Sequence, residues 1–587
     1  MMHKNLRSFI NQLKNEKEIV EIETTVDPHL ELAEIHRRVI EDEGPALLFT
    51  NVKGSSFPVV TNLFGTSRRV QLAFGTRPEL LMQQTVDLMH KLMPPSPKAI
   101  WSERGLIKDL LKVGLKKIPA SQAPVLEIKQ TSPDLTQLPV LTSWQEDGGP
   151  FFTLPLVYTE HPITKQHNLG MYRMQVFNEN TTGMHWQIHK GGGFHHHEAE
   201  LRNEPLPVRV HLGGPPALIA SAIAPVPEML PELLLTSLIV GQKLPIVRPE
   251  GGQYPYIADA EFVISGSVLP HERRLEGPFG DHYGYYSLAH DFPILQVNEV
   301  YHRKDAIYPA TIVGKPRQED YYLGEFLQRL LSPAFPMAMP GVRDLWTYAE
   351  TGFHALAAAV VRESYKREAM ANAFRILGEG QLTLTKFLIV TDQSVPLENF
   401  PLLIETVLER FDPATDLFVI GNTSIDTLDY TGRRLNHGSK AILLGTGDKK
   451  RELPVKYSGP DLRGVHHIAS YCKGVLLLET APFSDAPEIA NELLQQGHES
   501  LKEWPLIFIV DDISIASGQT PFLWTVFTRF DPAHDIYAKA ELIRNHASYT
   551  FPLIIDARMK PGYPDELVPD SDVVKLVDDR WNTYFKS

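Results

Sequence analysis

The string Arg410-Phe411-Asp412-Pro413-Ala414 returns as Arg529-Phe530-Asp531-Pro532-Ala533, 119 residues further on. The same spacing separates two apolar runs that end in acid: Phe387–Val390 before Thr391-Asp392, and Leu506–Val510 before Asp511. Two anchors in one register predict an internal duplication of a strand–helix unit. Both runs are short and apolar throughout, as strands covered on both faces are. Residues 326–587 are therefore expected to form an α/β domain with a repeated layer.

The rest of the chain divides into two further regions. Residues 1–120 alternate helix and strand signals: Leu6–Leu13 reads as helix and Ile19–Glu23 as strand. Leu30–Ile40 reads as an amphipathic helix with Leu32, Ile35 and Val39 on one face, and Pro45–Phe49 as a buried strand. Proline breaks at Pro94-Pro95-Ser96-Pro97 and Pro119 end this α/β layer. Residues 121–325 carry short apolar runs with frequent Gly and Pro, the pattern of a small β-barrel. The runs are Phe151–Tyr158, Met171–Phe177, Val208–Leu212, Leu218–Ile223, Phe262–Ser265 and Val297–His302, interrupted by one helix, Met229–Val240.

Charge and cysteine content narrow the function classes. Lys and Arg total 57 against 71 Asp and Glu, a net charge of −14, which excludes a generally basic nucleic-acid coat. The single cysteine, Cys472, makes neither an intrachain disulfide nor a cysteine-rich zinc site and suits a reducing cytoplasm. The N-terminus lacks the apolar core of a signal peptide. The most apolar stretches, Leu230–Gly241 and Ala355–Val361, fall short of the ~20 residues of a membrane span. The expectation is a cytoplasmic protein with no transmembrane segment, for which any membrane contact would be peripheral, at the inner membrane.

Chemistry-bearing residues concentrate in two stretches. The first runs from Asn168 to Glu198 and includes Arg173, His185-Trp186-Gln187, His189-Lys190 and Gly191-Gly192-Gly193. An arginine on the inner face of a barrel must find an anion, either in a structural ion pair or on a bound carboxylate or cofactor. Lys190 with the glycines can approach a phosphate, although the spacing is not that of a P-loop. His195-His196-His197 cannot all face one ion from a single strand and reads as a solvated loop. The second stretch is Glu276-Gly-Pro-Phe-Gly-Asp281-His-Tyr-Gly-Tyr-Tyr286. Its Gly and Pro turns can bring Glu276 and Asp281 together, as an acid/base pair or as solvated turn acids.

These stretches resemble the UbiD family of prenylated-flavin-dependent decarboxylases, and the match covers nearly the whole chain. Asn62-Leu63-Phe64-Gly65-Thr66-Ser67-Arg68-Arg69 is similar to its N-terminal NLFG segment, and Asn168 to Arg173 to its NxGxYR strand. Glu276 to Tyr286 is similar to its EGPxGDHxGYY loop, and Asp305–Tyr308 with Gly314-Lys315-Pro316 to the strand and loop after it. The resemblance implies an N-terminal α/β domain, a central flavin-reductase-like split β-barrel and a C-terminal α/β domain. It implies prenylated FMN, made by a partner flavin prenyltransferase, with Mn²⁺ (or Mg²⁺) on the phosphate and a nearby K⁺. By family position the metal ligands fall on Asn168, His189 and Glu232. The cofactor contacts fall on Met171, Tyr172, Arg173, His185, Trp186, Gln187, Lys190 and Gly191, and the catalytic trio on Glu276, Arg173 and Asp281.

The family chemistry is non-oxidative decarboxylation through a covalent substrate–cofactor adduct, loss of CO₂ and protonation by Glu276 or Asp281. The resemblance implies an aromatic hydroxy acid of quinone biosynthesis: a dihydroxynaphthoate on the menaquinone branch or a polyprenyl-hydroxybenzoate on the ubiquinone branch. The alternatives are a phenolic carboxylase running the reverse reaction and a non-enzymatic scaffold subunit. Homo-oligomers are the family habit. The C-terminal region departs from shorter members, which pass from Gly-Ser-Lys straight into Leu-Asp-Ala-Thr. Here Gly438-Ser439-Lys440 leads into Ala441-Ile442-Leu443-Leu444-Gly445, and an Asp-Ala pair at a strand end returns only at Asp556-Ala557. The residues between carry the second Arg-Phe-Asp-Pro-Ala.

Overall fold

The computed structural model describes residues 3–91, 105, 111–187, 190–224, 231–248, 254–497 and 499–585. The chain forms two compact units, Met1–Leu330 with Asp565–Ser587, and Leu331–Pro564. The segment from Asp565 onward, expected within the C-terminal region, thus packs with the first unit.

In the first unit, helix Leu6–Asn15 opens with a reciprocal cap between Asn5 and Ser8 and buries Leu6, Phe9, Ile10 and Leu13. Each such side chain stabilises the fold by about 1.5–3 kcal/mol. Strands Ile19–Ile22, Ala46–Phe49, Val59–Thr61 and Tyr308–Pro309 form a four-stranded sheet in that order. Helix Glu31–Glu41 meets the C-terminal helix Ser571–Tyr584. Arg38 donates to Glu34 and to Asp578, and Glu31 accepts from Arg580 and from the Tyr584 hydroxyl. Val577 and Tyr584 belong to the same core as Ile22, Phe49 and Phe262, so the tail completes this unit's interior.

The centre of the unit is a curled antiparallel sheet. Its order is Thr181–Gly183, His290–His302, Phe262–Glu276, Leu206–Leu212, Leu156–Glu160, His167–Met171, with Ile128–Lys129 pairing to His290–His302. The two long strands slip register after Ser265 and after Val268, and such bulges bend and twist a sheet. Two expectations fail here. Leu218–Ile223, read as a strand, lies in helix Pro216–Ile223, where Pro216 to Ser221 are all buried. A segment apolar on every side carries neither period, and a proline in the first turn favours helix. His195-His196-His197, read as a loop, lies in helix Gly191–Leu201, with His195 and His196 buried and the His195 ring bonded to Thr159. The helix expected at Met229–Val240 runs Glu232–Val240 among the described residues.

The second unit holds two five-stranded sheets of identical order. The first is Val342–Thr347, Leu356–Val361, Phe387–Thr391, Gly438–Gly445, Leu417–Thr423; the second is Val465–Cys472, Val475–Thr480, Leu506–Val510, His546–Asp556, Ile536–Ile543. In each, three central strands run parallel between two antiparallel edges. Strand starts at Leu356, Phe387 and Leu417 recur at Val475, Leu506 and Ile536, the spacing of the duplicated string. That string makes the same turn twice: Asp412 N–H donates to Asp416 at 2.9 Å, and Asp531 N–H to Asp535 at 2.7 Å. The copies part at the last connection. In the first it is a loop in which Ile425, Leu428 and Asp429 are buried; in the second it is a tight hairpin around Arg544-Asn545.

Candidate active site

Arg173 sits in the short link between strands His167–Met171 and Met174–Gln175, and its side chain is almost fully buried. Glu276 ends the long strand Phe262–Glu276, and Asp281 follows the short strand Phe279–Gly280. The turns between them fold the chain back so that both carboxylates reach the same guanidinium. Arg173 donates through Nε to Glu276 Oε1 at 3.4 Å, through Nη1 to Asp281 Oδ2, and through Nη2 to the Ser287 hydroxyl at 2.8 Å. Its guanidinium lies 4.6 Å from the centre of the Phe279 ring. The three residues expected to act together are therefore in direct contact.

Two histidines complete the cluster. His185 Nδ1 lies 2.9 Å from Glu276 Oε1, and His282 Nδ1 lies 2.7 Å from Asp281 Oδ1. The Gln187 amide nitrogen is 3.2 Å from His185 Nε2. An amide donating there leaves the imidazole proton on Nδ1, aimed at Glu276. Burial and then Arg173 push the His185 imidazole down, so it stays neutral beside the carboxylate. Burial on its own would raise Asp281, but Arg173 first and then His282 hold it well below the usual carboxylate range. Glu276 is wholly buried, and among the described residues its Oε2 has no hydrogen-bond partner. A Cβ at Gly183 would lie 2.4 Å from that oxygen, so the strand facing it is kept bare.

A second group of expected residues gathers around Asn168. The Asn168 amide donates to the Tyr172 hydroxyl at 3.2 Å, and that hydroxyl also accepts from Gly192 N–H at 3.2 Å. Glu232, first residue of its helix, accepts at 3.2 Å from the N–H of Leu169, the residue after Asn168. Burial pushes the Glu232 carboxyl up to about 7, against the pull of the backbone N–H groups it accepts from. Lys190 occupies the N-cap position of the helix opened by the three glycines, without a side-chain capping bond. A Cβ at Gly191 would lie 2.1 Å from Asn168 Oδ1, and one at Gly192 would lie 2.6 Å from Trp186 Nε1, so only glycine fits. Trp186 Nε1 is buried without a partner among the described residues. Met171 ends its strand, half-buried. His189 lies outside the described residues.

This group suits an anionic cofactor held through a divalent cation. Asn168 and Glu232 offer oxygen ligands of the kind that hard cations take, and the glycine-opened helix offers backbone N–H groups to a phosphate. The orphaned indole nitrogen and Glu276 Oε2 are polar atoms that a bound molecule would satisfy. Among the described residues no three His, Cys, Asp or Glu side chains cluster as a ready-made metal site. Sequence reasoning missed His282 and Asp147, whose carboxylate accepts from the Gly280 amide just before Asp281.

Known proteins place this geometry in a context. Three family models match in order: the 3-octaprenyl-4-hydroxybenzoate carboxy-lyase N-terminal domain over residues 10–89, its Rift-related domain over 116–316 and its C-terminal domain over 321–445. An uncharacterized protein of Chlamydia trachomatis serovar D is 53% identical over 99% of this chain and 100% of its own. A Chlamydia pneumoniae protein, named as a subunit of 4-hydroxybenzoate decarboxylase, is 50% identical over 99% of this chain and 98% of its own. Among solved structures, vanillic acid decarboxylase of Sedimentibacter hydroxybenzoicus in closed form superposes with a TM-score of 0.67 at 24% identity, over 78% of this chain and 97% of that one. The UbiD-class enzyme HmfF from Pelotomaculum thermopropionicum, in complex with FMN, gives 0.62 at 23% identity, over 78% and 98%. At these identities the structures speak to the fold.

Proposed function

Because the chain belongs to the UbiD family of aromatic acid carboxy-lyases, we propose that it decarboxylates an aromatic hydroxy acid without net oxidation, using prenylated FMN. The observation that carries the reading is the contact of Arg173 with both Glu276 and Asp281, with His185 also on Glu276. When bound, prenylated flavin would supply an electron sink for the ring carbon that loses CO₂. Asn168 and Glu232, with His189, would hold Mn²⁺ (or Mg²⁺) on its phosphate, with K⁺ nearby. Met171, Tyr172, His185, Trp186, Gln187, Lys190 and Gly191 would line it.

The chain's own residues manage charge and protons. Asp281 stays ionised and fixes the guanidinium. Arg173 in turn orients Glu276, and the His185 Nδ1 proton steadies Glu276 Oε1. Glu276 Oε2 is left as the atom that delivers a proton to the carbon CO₂ has left. Burial of Glu276 and His185 keeps bulk water from competing for that proton. The name of the Chlamydia pneumoniae relative favours a 4-hydroxybenzoate-type substrate over a dihydroxynaphthoate. A flavin prenyltransferase supplies the cofactor, and the working form is a homo-oligomer. Among the described residues no helix is long and apolar enough to cross a membrane.

The test is production together with a flavin prenyltransferase, then cofactor mass, bound manganese and CO₂ release from 4-hydroxybenzoates and dihydroxynaphthoates. The reading expects bound prenylated FMN and CO₂ from a hydroxybenzoate. Loaded protein that releases no CO₂ but fixes labelled bicarbonate into a phenol would establish the carboxylase instead. Protein that takes up neither flavin nor metal would point to a scaffold.

A further inference from the structure

The loop that carries Glu276 and Asp281 is held by a second loop, Ser143–Gly149, that no role has been given. Asp147 is the join. Its Oδ2 accepts from Ser143 N–H at 2.9 Å and Trp144 N–H at 3.0 Å, which closes its own loop. Its Oδ1 accepts from Gly280 N–H at 2.8 Å, one residue before Asp281. Two further contacts run alongside. Gly148 N–H donates to Pro278 O at 2.8 Å, and Gln175 bridges the loops by accepting from Gly277 N–H at 2.8 Å and donating to Gly148 O at 2.5 Å. The approach is close enough that a Cβ at Gly148 would lie 2.3 Å from Gly277 O.

The geometry points to Asp147 as a positioning residue for the decarboxylation: its carboxylate, shared between the two loops, sets where Asp281 and Glu276 meet Arg173. The inference rests on the function proposed above. Three N–H donors converge on one carboxylate, and the ionised form is the stronger acceptor for all three. A protonated carboxyl turns one oxygen into a donor and loses the charge that strengthens all three bonds. Burial pushes the Asp147 carboxyl up to about 6, against the pull of the three amides and of Arg173. The other ionisable groups that face it are Arg37 and Tyr286, with Glu146 next in the chain. The latch therefore loosens as pH falls through that range. Asp147 touches no reacting atom and works only through the Gly280 backbone.

The test is Asp147→Asn in the full chain, read by hydrogen exchange of the 276–287 segment and by turnover of the flavin-loaded enzyme. The carboxamide keeps the shape but turns an NH₂ group toward an N–H. The expected result is exchange in that segment faster by about tenfold or more, with strand Leu206–Leu212 unchanged. kcat should fall about tenfold or more with KM within about threefold. Wild-type kcat should fall on acidification below about pH 6, and that fall should be absent in the variant. Unchanged loop exchange overturns the proposal, whether or not kcat falls, as does unchanged kcat. If the variant does not fold, exchange of the wild-type chain at about pH 5 and 7.5, corrected for intrinsic rates, decides: loss of protection confined to the loop supports it, and pH-independent protection overturns it. A wild-type chain inactive on every acid tried would sink the functional reading, while the exchange comparison would still judge the latch.

Discussion

Arg173 and Arg558 are both buried arginines bound to aspartate, one in each unit, and they are built to different ends. Arg558 donates to both oxygens of Asp556 and to the Ala481 and Ala486 carbonyls, and neither side chain of the pair is exposed. The charges cancel and the donors are used. Arg173 is shared between two acids, Glu276 and Asp281, and Glu276 Oε2 has no partner among the described residues. Buried charge alone therefore does not mark a site. A saturated pair holds a fold, whereas an unsaturated cluster leaves a buried polar atom that an arriving molecule could satisfy.

The largest effect that would break this contrast is chemical. Glu276→Gln should lower turnover by about 10²–10⁴-fold with little change in the urea midpoint; retained turnover would put the proton elsewhere. Next is the structural pair. Arg558→Met strands Asp556 and should cost about 3–5 kcal/mol in urea unfolding, while Arg558→Met with Asp556→Asn should recover most of the loss. If the double variant is no better than the single, the pair is doing more than balancing charge.

A smaller effect lies in acid. Asp281 has its folded pKa held below the unfolded value of about 3.9, so it contributes stability that is present above that pH and lost as pH falls through and below it. Asp281→Asn should flatten the acid limb of stability measured between about pH 6 and pH 3. The smallest is Trp186→Phe, which removes the orphaned indole N–H. It should change unfolding free energy by only about 1 kcal/mol, yet reduce the flavin retained through gel filtration.

Much of this is legible in the sequence. The duplication shows because five identical residues recur in register with a strand, and the Gly-Pro and Gly turns around Glu276 and Asp281 announce a fold-back. What stays hidden has physical reasons. Leu218–Ile223 is apolar on all sides, so neither helical nor strand period emerges. His195-His196-His197 looks solvated because three polar rings in a row suggest a loop, yet a helix spreads them and buries two. Asp147 binds only backbone amides, and nothing in Trp-Gln-Glu-Asp-Gly-Gly distinguishes such a carboxylate from an exposed turn acid. The two copies also diverge where a repeat cannot reveal it. Asp412 caps its own short helix through Ala414 N–H, whereas Asp531 accepts from the Ser439 amide and hydroxyl, fastening the second copy to the first.

The return of Asp565–Ser587 to the first unit has a consequence for biosynthesis. Tyr286 N–H donates to Asp565 O, Leu567 N–H donates to Gly284 O, and helix Ser571–Tyr584 supplies Val577 and Tyr584 to the interior begun by Ile22. The segment that pairs with the loop of Glu276 and Asp281 is therefore translated only after the whole of the second unit. The twin-sheet unit, complete at Pro564, can emerge and fold as a body while the earlier unit still lacks helix Ser571–Tyr584. Until residues 565–584 follow, the loop that carries Glu276 and Asp281 lacks the backbone partners that Asp565 and Leu567 supply, and the first interior lacks Val577 and Tyr584.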